Sequence, residues 1–533
     1  MNDRFRRFTE YLDSLIEAYS LDGASLRFRR FVKTLSRNDI GEFKVLVEAG
    51  QPKSNQLALS LFLPVLMKRL NATPVFYGTG RPGVTAKIKA ILRQYFSVIN
   101  TLGRSPFLYI AVEKNSQKGI IETSKNELIL RIQSPEQLEL FTYRGVLIGD
   151  LIYDTYLRET NHPTINLDDD RYKELINKAM ELVDFWIEYL QEEKVAAICV
   201  SHTVYLHAIP ARVGVLLERE VFQVNLNAIY RVTRDFPFAY TDFRKYKEQF
   251  KQISQEAQTA GLVSSKVRLE KRFNGEIGVD MSYSSKSAFT INNFKKDTGI
   301  KGNEKIKILV AVHDFFDSPH SFGDNFYPDF YLWIQRLSEL ALRTDYDWYI
   351  KTHPDVNGAG IMAIEDIVSS SNCFKVIAAD TSHHDLIRDG INFVLTVYGT
   401  VGMEYPALGV PAINASLNNP HAAYGFSITP KSRREYEAVI LNLGHWMNYS
   451  INLDEIYEYY FIHHVYNLKD WIFVDHEEML MEVGGYKASN NSKIYNYFLD
   501  SENKRTLNDY RTAIDAFLNS NDTRIRREHF GCR

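Results

Sequence analysis

The chain is predicted to be an α/β protein of two Rossmann-like domains facing a central cleft, with helical segments at its N- and C-terminal ends. Three observations carry this. Short apolar strands alternate with helical stretches, the pattern of βαβ units and parallel sheets. The pattern lapses after about residue 240 into a polar, helix-rich stretch and restarts at KIKILVAV, residues 305 to 312. Finally, 533 residues at 45% hydrophobic are more than one core accommodates, because single cores stop growing near about 250 to 300 residues.

The elements follow in order. Residues 1–40 form an N-terminal helical segment whose opening, MNDRFRRFTEYLDSLIEAYSL, lacks the apolar core of a signal peptide and reads as an amphipathic helix with Arg4, Arg6 and Arg7 at one end. Residues 41–240 form the first domain: strand FKVLVEAG, a helix over 55–70, strand TPVFYG, then Gly78, Gly80 and Gly83. That G-x-G-x-x-G follows a strand and precedes a helix, yet no acid stands at the distance a dinucleotide site needs, so it is read as a tight turn. Strands near 107–112, 143–148 and 195–200, with a long helix over 171–192, complete the domain. Residues 241–303 are a helical linker region. Residues 304–450 form the second domain, with strands at DWYI, FKVI, FVLTV and PAINA. Residues 451–533 are helical.

Two segments carry chemistry. In TVYGTVGMEYPALGVPAI, residues 396 to 413, a strand delivers the chain to Gly399, Thr400 and Gly402, where missing side chains let backbone amides approach an anion at the start of a helix. Glu404, one turn on, is long enough to accept hydrogen bonds from ribose hydroxyls; Pro406 is expected to shorten or kink the helix. In DWYIKTHPD, residues 347 to 355, a strand ends in Lys351, His353 and Pro354, and strand ends are where α/β proteins bind ligands. An imidazole there can donate to a phosphate oxygen.

Composition narrows the field. A net charge of -3 argues against a nucleic-acid binder, which carries a strongly basic domain. The three cysteines, Cys199, Cys373 and Cys532, form no C-x-x-C pair, so neither a zinc site nor a disulfide framework is indicated, and a reducing cytoplasm fits. No window approaches the roughly 18 to 20 apolar residues that span a bilayer. Basic clusters at Arg27, Arg29, Arg30 and Lys33 and at Arg524, Arg526 and Arg527 could touch anionic lipid at the inner face of the cytoplasmic membrane, but interspersed acids favour ordinary solvated helix faces.

The H-P dipeptide followed by G-T-x-G-x-E-x-x-x-x-G-x-P resembles bacterial glycosyltransferases of the GT-B fold that build capsule and other surface polysaccharides, a group including Kdo and sialic acid transferases. HDFFDSPHSFGDNFYPDFYLWI, YGFSITPKSRREY and GVLIGDLIYDTYLR strengthen the resemblance, which covers much of residues 140 to 445. It implies an inverting, metal-independent transfer of a sugar, CMP-activated and acidic by preference, to a glycan or lipid-linked glycan, with a C-terminal helix crossing back to the first domain and no cofactor beyond the nucleotide-sugar substrate. His353, Pro354 and Thr400 map onto the residues that contact the nucleotide phosphate. A UDP-sugar or CDP-polyol transferase, a sugar-nucleotide 2-epimerase and a non-catalytic assembly scaffold are the alternatives.

The first domain is then expected to supply the base. Asp150 and Asp154 share a helix face and are the candidates, Asp150 foremost; the structural alternatives are an N-cap for Asp150 and a salt bridge from Asp154 to Arg158. His202 follows a strand into the same cleft. His313, Asp317 and His320 are expected at the cleft mouth without a metal, because GT-B enzymes generally neutralise the leaving phosphate without one. Ser382 and Asp385, in SHHD, read as a helix start.

Overall fold

A computed structural model describes residues 17, 19–36, 41–80, 83–103, 107–111, 121–277, 279–280, 287–290, 297–352, 356, 358–467 and 471–531. His353 and Pro354 lie outside the described residues, as do Arg4, Arg6, Arg7 and Cys532.

The first domain's strands are β1 (Phe43–Glu48), β2 (Ala72–Gly80), β3 (Phe107–Ala111), the short pair β4 (Thr142–Tyr143) and β5 (Val146–Leu147), β6 (Val195–Val200), β7 (Glu220–Val224) and β8 (Ile229–Val232). Six of them form one sheet in the order β3-β2-β1-β6-β7-β8, parallel except for the antiparallel edge strand β8. The expected strand at 143–148 is instead the β4-β5 hairpin, outside this sheet. Arg144 and Gly145 both take positive φ, 49° and 80°, the backbone of a two-residue hairpin turn that folds the segment onto itself. Gly78 and Gly80 belong to β2 rather than to the tight turn expected of them, with Gly80 lying directly against the Tyr109 ring.

The helix Lys53–Leu70 joins β1 to β2 and is buried along most of its length, as a helix apolar on every side must be. Its cover comes from the chain's other end. Trp471, Phe473, Tyr495, Phe498, Phe517 and Ile525 share one core with Val45, Phe62 and Phe76, and the amide of Ile525 donates to the Ile229 carbonyl on β8. The C-terminal segment therefore crosses back onto the first sheet.

The second domain holds β9 (Lys307–Ala311), β10 (Asp347–Lys351), β11 (Phe374–Ile377), β12 (Phe393–Thr396) and β13 (Ala412–Asn414), all parallel in the order β11-β10-β9-β12-β13. The linker region contributes the helices Tyr246–Gln252 and Gln255–Phe273, which pack with the helix Leu453–Tyr460 and the π-helical turn Phe461–Tyr466. Among the described residues no helix is long and apolar enough to cross a membrane.

In both sheets the strand order reverses beside the first strand, between β1 and β6 and between β9 and β12. Such switch points open crevices at the carboxyl ends of the strands. The loops leaving β6 and β9 meet: the Tyr205 hydroxyl donates to Asp317 at 2.9 Å and receives the Ser318 amide at 3.4 Å. Tyr205 holds this position from a left-handed backbone, φ 57°, costly for a bulky residue and tolerated where surroundings fix it. The two crevices therefore face one cleft.

The returning C-terminal segment is anchored by Tyr495, whose ring stacks on Phe28 at 4.3 Å. Tyr495→Ala is expected to lower unfolding stability by about 3–5 kcal/mol, the usual loss for a fully buried aromatic. Tyr495→Phe, keeping the ring, is expected to cost about 1 kcal/mol. Urea titration of the two variants checks the difference.

Candidate functional site

On the first-domain side of the cleft, β1 ends in Glu48 and β6 leads into Ser201 and His202. Buried Glu48 accepts from the Ser201 amide at 2.7 Å and from its hydroxyl at 2.6 Å. Its other oxygen lies 3.2 Å from Nδ1 of His207. The Ser201 oxygen is also 2.8 Å from Nδ1 of His202. A hydroxyl has one proton; since Ser201 spends its proton on the carboxylate, Nδ1–H of His202 must be the donor to Ser201. That tautomer leaves the lone pair on Nε2. Burial lowers the His202 pKa, opposed by Glu48, so the ring is neutral at neutral pH. For His207 the hydrogen bond to Glu48 outweighs burial and raises the pKa. Glu48, Ser201 and His207 escaped the sequence reading; the only signal was an acid at the carboxyl end of a parallel strand.

The helix Gly149–Thr160 carries Asp150 and Asp154 on one buried face, with different partners. Asp150 is held by Arg212 in a two-pronged pair of 2.5 and 2.6 Å, and Arg212 also donates to the Leu147 carbonyl. Both carboxylate oxygens are thus engaged by the guanidinium. Asp150 is not an N-cap: the helix starts at Gly149 with Ile148 at the cap. Asp154 pairs with His320 across the cleft rather than with Arg158, Nδ1 donating to the carboxylate at 2.6 Å. Arg158 instead reaches the Tyr205 hydroxyl at 2.8 Å and Asp317 at 3.2 Å. Asp329 of the second domain likewise accepts from Tyr153 and Thr164 of the first.

On the second-domain side, Nε2 of His313 lies 3.0 Å from the Thr396 hydroxyl at the end of β12, and its ring stacks on Phe330. The Thr396 hydroxyl accepts the Gly399 amide. The helix Val401–Ala407 is short and ends directly after Pro406, as the proline requires. A Cβ on Gly402 would come within 2.7 Å of His421 and 2.8 Å of Asn414, so only glycine lets the turn approach β13. His421 is wholly buried, its ring nitrogens without hydrogen-bond partners among the described residues, and burial pushes it down to about 3; it is neutral. Glu404 is buried and ion-paired with Arg272 of the linker helix, while its second oxygen accepts from Thr400 at 3.3 Å. Lys351, at the end of β10, donates to the Ala379 carbonyl at 2.8 Å, and burial pulls its ammonium down to about 8.

Ser382 caps its helix as expected, but Asp385 pairs with Arg388 instead of closing a capping box. Among the described residues no three His, Cys, Asp or Glu side chains converge as metal ligands. The site is thus two facing crevices, one lined by Glu48, Ser201, His202 and His207, the other by His313, Thr396 and the 399–404 turn, tied by Asp154–His320 and Arg158–Asp317.

The tie between Asp154 and His320 sets a pH dependence. Burial would lower the His320 pKa, but the Asp154 carboxylate, with Glu139 and Asp150 nearby, holds it up at about 9. A raised imidazole pKa contributes stability that is complete below its unfolded value of about 6.5 and is lost as pH climbs toward the folded value. Thermal stability is therefore expected to fall between about pH 6.5 and 9, and the fall is expected to flatten in His320→Gln. Melting curves of the two proteins across that window check it.

No protein-family model and no curated protein matches the chain. Among solved structures it is similar to a UDP-GlcNAc 2-epimerase from Neisseria meningitidis bound to UDP-GlcNAc, with 13% identity over 78% of this chain and 97% of that one and a TM-score of 0.25. It is similar to a glycosyltransferase from Rickettsia africae, with 11% identity over 86% of this chain and all of that one and a TM-score of 0.23. It is also similar to the MurG of Acinetobacter baumannii, with 10% identity over 79% and 94% and a TM-score of 0.23. Likeness at this level bears on neither substrate nor activity.

Proposed function

We propose that the protein is an inverting glycosyltransferase that moves a sugar from a nucleotide donor to a glycan acceptor of a surface polysaccharide. The observation that supports this reading is the confrontation of two parallel-sheet switch points across one cleft, joined through Tyr205 and Asp317. Each switch point is a ligand crevice, so their meeting suits a reaction that brings two substrates together.

In this reading the donor lies on the second domain. The Thr400 amide, with Lys351 and His353, meets the charge of the leaving phosphate in place of a bound cation; the amides of Gly399 and Gly402, expected beside it, already donate to the Thr396 hydroxyl and the Gly399 carbonyl and shape the turn. Glu404 is already paired with Arg272, so a ribose hydroxyl donating to it would share its carboxylate with that guanidinium. The acceptor lies against the first domain. Nε2 of His202 takes the proton from the acceptor hydroxyl, the freed oxygen bonds to the anomeric carbon, and the bond from that carbon to the phosphate oxygen breaks with its electron pair leaving on the nucleotide. Glu48 and Ser201 orient the imidazole. The role expected of Asp150 passes to His202 because Arg212 already occupies both carboxylate oxygens. A CMP-activated acidic sugar is the proposed donor, supported by the sequence resemblance to Kdo and sialic acid transferases.

His202→Gln is expected to reduce transfer by roughly 10²- to 10⁴-fold, the usual worth of a general base, with nucleotide affinity kept. Asp150→Asn is expected to act on the fold, costing about 3–5 kcal/mol by breaking a buried pair. Full activity of His202→Gln would remove it from the mechanism. The donor is identified by thermal stabilisation with CMP, CDP and UDP, since a ligand at 100 times its dissociation constant adds about 2.7 kcal/mol. Stabilisation by CMP with sugar transferred is the expected result; altered sugar nucleotide without acceptor consumed would indicate an epimerase, and indifference to all three nucleotides a scaffold.

A further inference from the structure

The helix Val84–Tyr95, which follows β2 and packs beside the edge strand β3, is turned the wrong way round for a helix folded only by its own domain. Its inward face carries Ala86, Ala90 and the buried Gln94, while the large apolar side chains point out. Val84 is 75% exposed, Ile88 49%, Ile91 38%, Leu92 41% and Tyr95 67%. These residues fall on one stripe at helical spacing along an element about 18 Å long. A surface helix normally buries such a stripe against the core.

The charges on this helix, Lys87 and Lys89 to either side of the stripe and Arg93 further round, indicate what covers it. Lys87, Lys89 and Arg93 are exposed, and the helix VTAKIKAILRQY contains no acid. A second copy docking face to face would set these three cations against three more, because a two-fold interface presents the same patch on both sides. An anionic bilayer satisfies both features, accepting the apolar stripe at the acyl boundary and the cations among its headgroups. The basic clusters near residues 27–33 and 524–527 are less available. Arg27 pairs with Asp500, Arg29 donates to the Phe96 carbonyl, and buried Arg524 donates to the Asn467 carbonyl at 2.5 Å.

We propose that the helix Val84–Tyr95 is a membrane-contact element that seats the first domain on an anionic lipid surface. Its N-terminus follows directly from the carboxyl end of β2, the edge of the sheet that faces the cleft, so contact there holds the cleft beside the bilayer. The inference stands apart from the transfer reading, because it concerns a surface and is tested without turnover.

The full chain is mixed with sedimentable vesicles of phosphatidylcholine alone or of equal parts phosphatidylcholine and phosphatidylglycerol. Binding is expected only to the latter and is expected to weaken with added salt. Each cation near an anionic surface contributes about fivefold, so Lys87→Glu/Lys89→Glu/Arg93→Glu is expected to weaken binding by at least about tenfold. Ile88→Glu/Leu92→Glu is expected to do the same while leaving the melting temperature unchanged, since those side chains are exposed. No binding to phosphatidylglycerol vesicles, or unchanged binding in both variants, would overturn the proposal. So would a drop in melting temperature of Ile88→Glu/Leu92→Glu, which would mean that the chain itself covers the stripe, or a dimer that this variant dissociates in analytical ultracentrifugation.

Discussion

The cleft depends on one buried ionic contact, Asp154 against His320. Each group is almost wholly removed from water and belongs to a different domain. Neither could stay charged alone, because an isolated buried charge costs several kcal/mol. Together they share a proton across the cleft, and losing either partner strands the other. Arg158–Asp317, on the same seam, is exposed on both sides and contributes at most about 1 kcal/mol. The difference identifies the first pair as a buried ionic contact between the domains, beside the hydrogen bonds that Asp329 accepts from Tyr153 and Thr164, and the second as an adjustable rim.

Two carboxylates one helical turn apart thus have unlike roles, and sequence spacing could not separate them. Asp150 and Asp154 share a face because they are four apart. What distinguishes them is what the rest of the chain brings up: Arg212, 62 positions away, to one, and His320, 166 positions away, to the other. The same limit hid Glu48. An acid at the end of FKVLVE looks like the end of a strand until β6, arriving beside it, adds Ser201 and His202.

The sheets themselves were legible where local chemistry decides. KIKILVAV, DWYI, FVLTV and PAINA are apolar runs bounded by turn residues, and each became a parallel strand. Strands β7 and β8 escaped because EVFQV and IYRV are short, interrupted by polar residues, and owe their place to the sheet edge and to the returning C-terminal segment. The strand expected at 143–148 failed for the opposite reason, a local turn at Arg144 and Gly145 overriding an apolar run. Around the 396–413 turn the glycines were expected to let backbone amides approach an anion; the close neighbours that the structure shows at Gly402 are His421 and Asn414.

That last point bears on how the second-domain crevice is built. Beneath the turn lie a neutral buried histidine, a glycine with no room for a side chain and a glutamate fixed by Arg272 from the linker helix. None of these can rearrange cheaply: adding a methyl group at Gly402 collides with His421, and freeing Glu404 would leave a buried charge unpaired. The turn is therefore held by His421, Asn414 and the linker helix, and His313 and Thr396 join it through the 3.0 Å hydrogen bond between them and the Gly399 amide that Thr396 accepts. Preorganised dipoles serve an incoming anion best when they need not move, and the Gly399 and Gly402 amides help to fix this turn by donating to the Thr396 hydroxyl and the Gly399 carbonyl. The first-domain crevice is built differently. Glu48 fixes Ser201 and His207 but leaves His202 attached through one hydroxyl, so its ring can follow a proton while its tautomer stays set. Under the proposed transfer, a held turn on one side and a steered imidazole on the other would divide the labour between the two substrates.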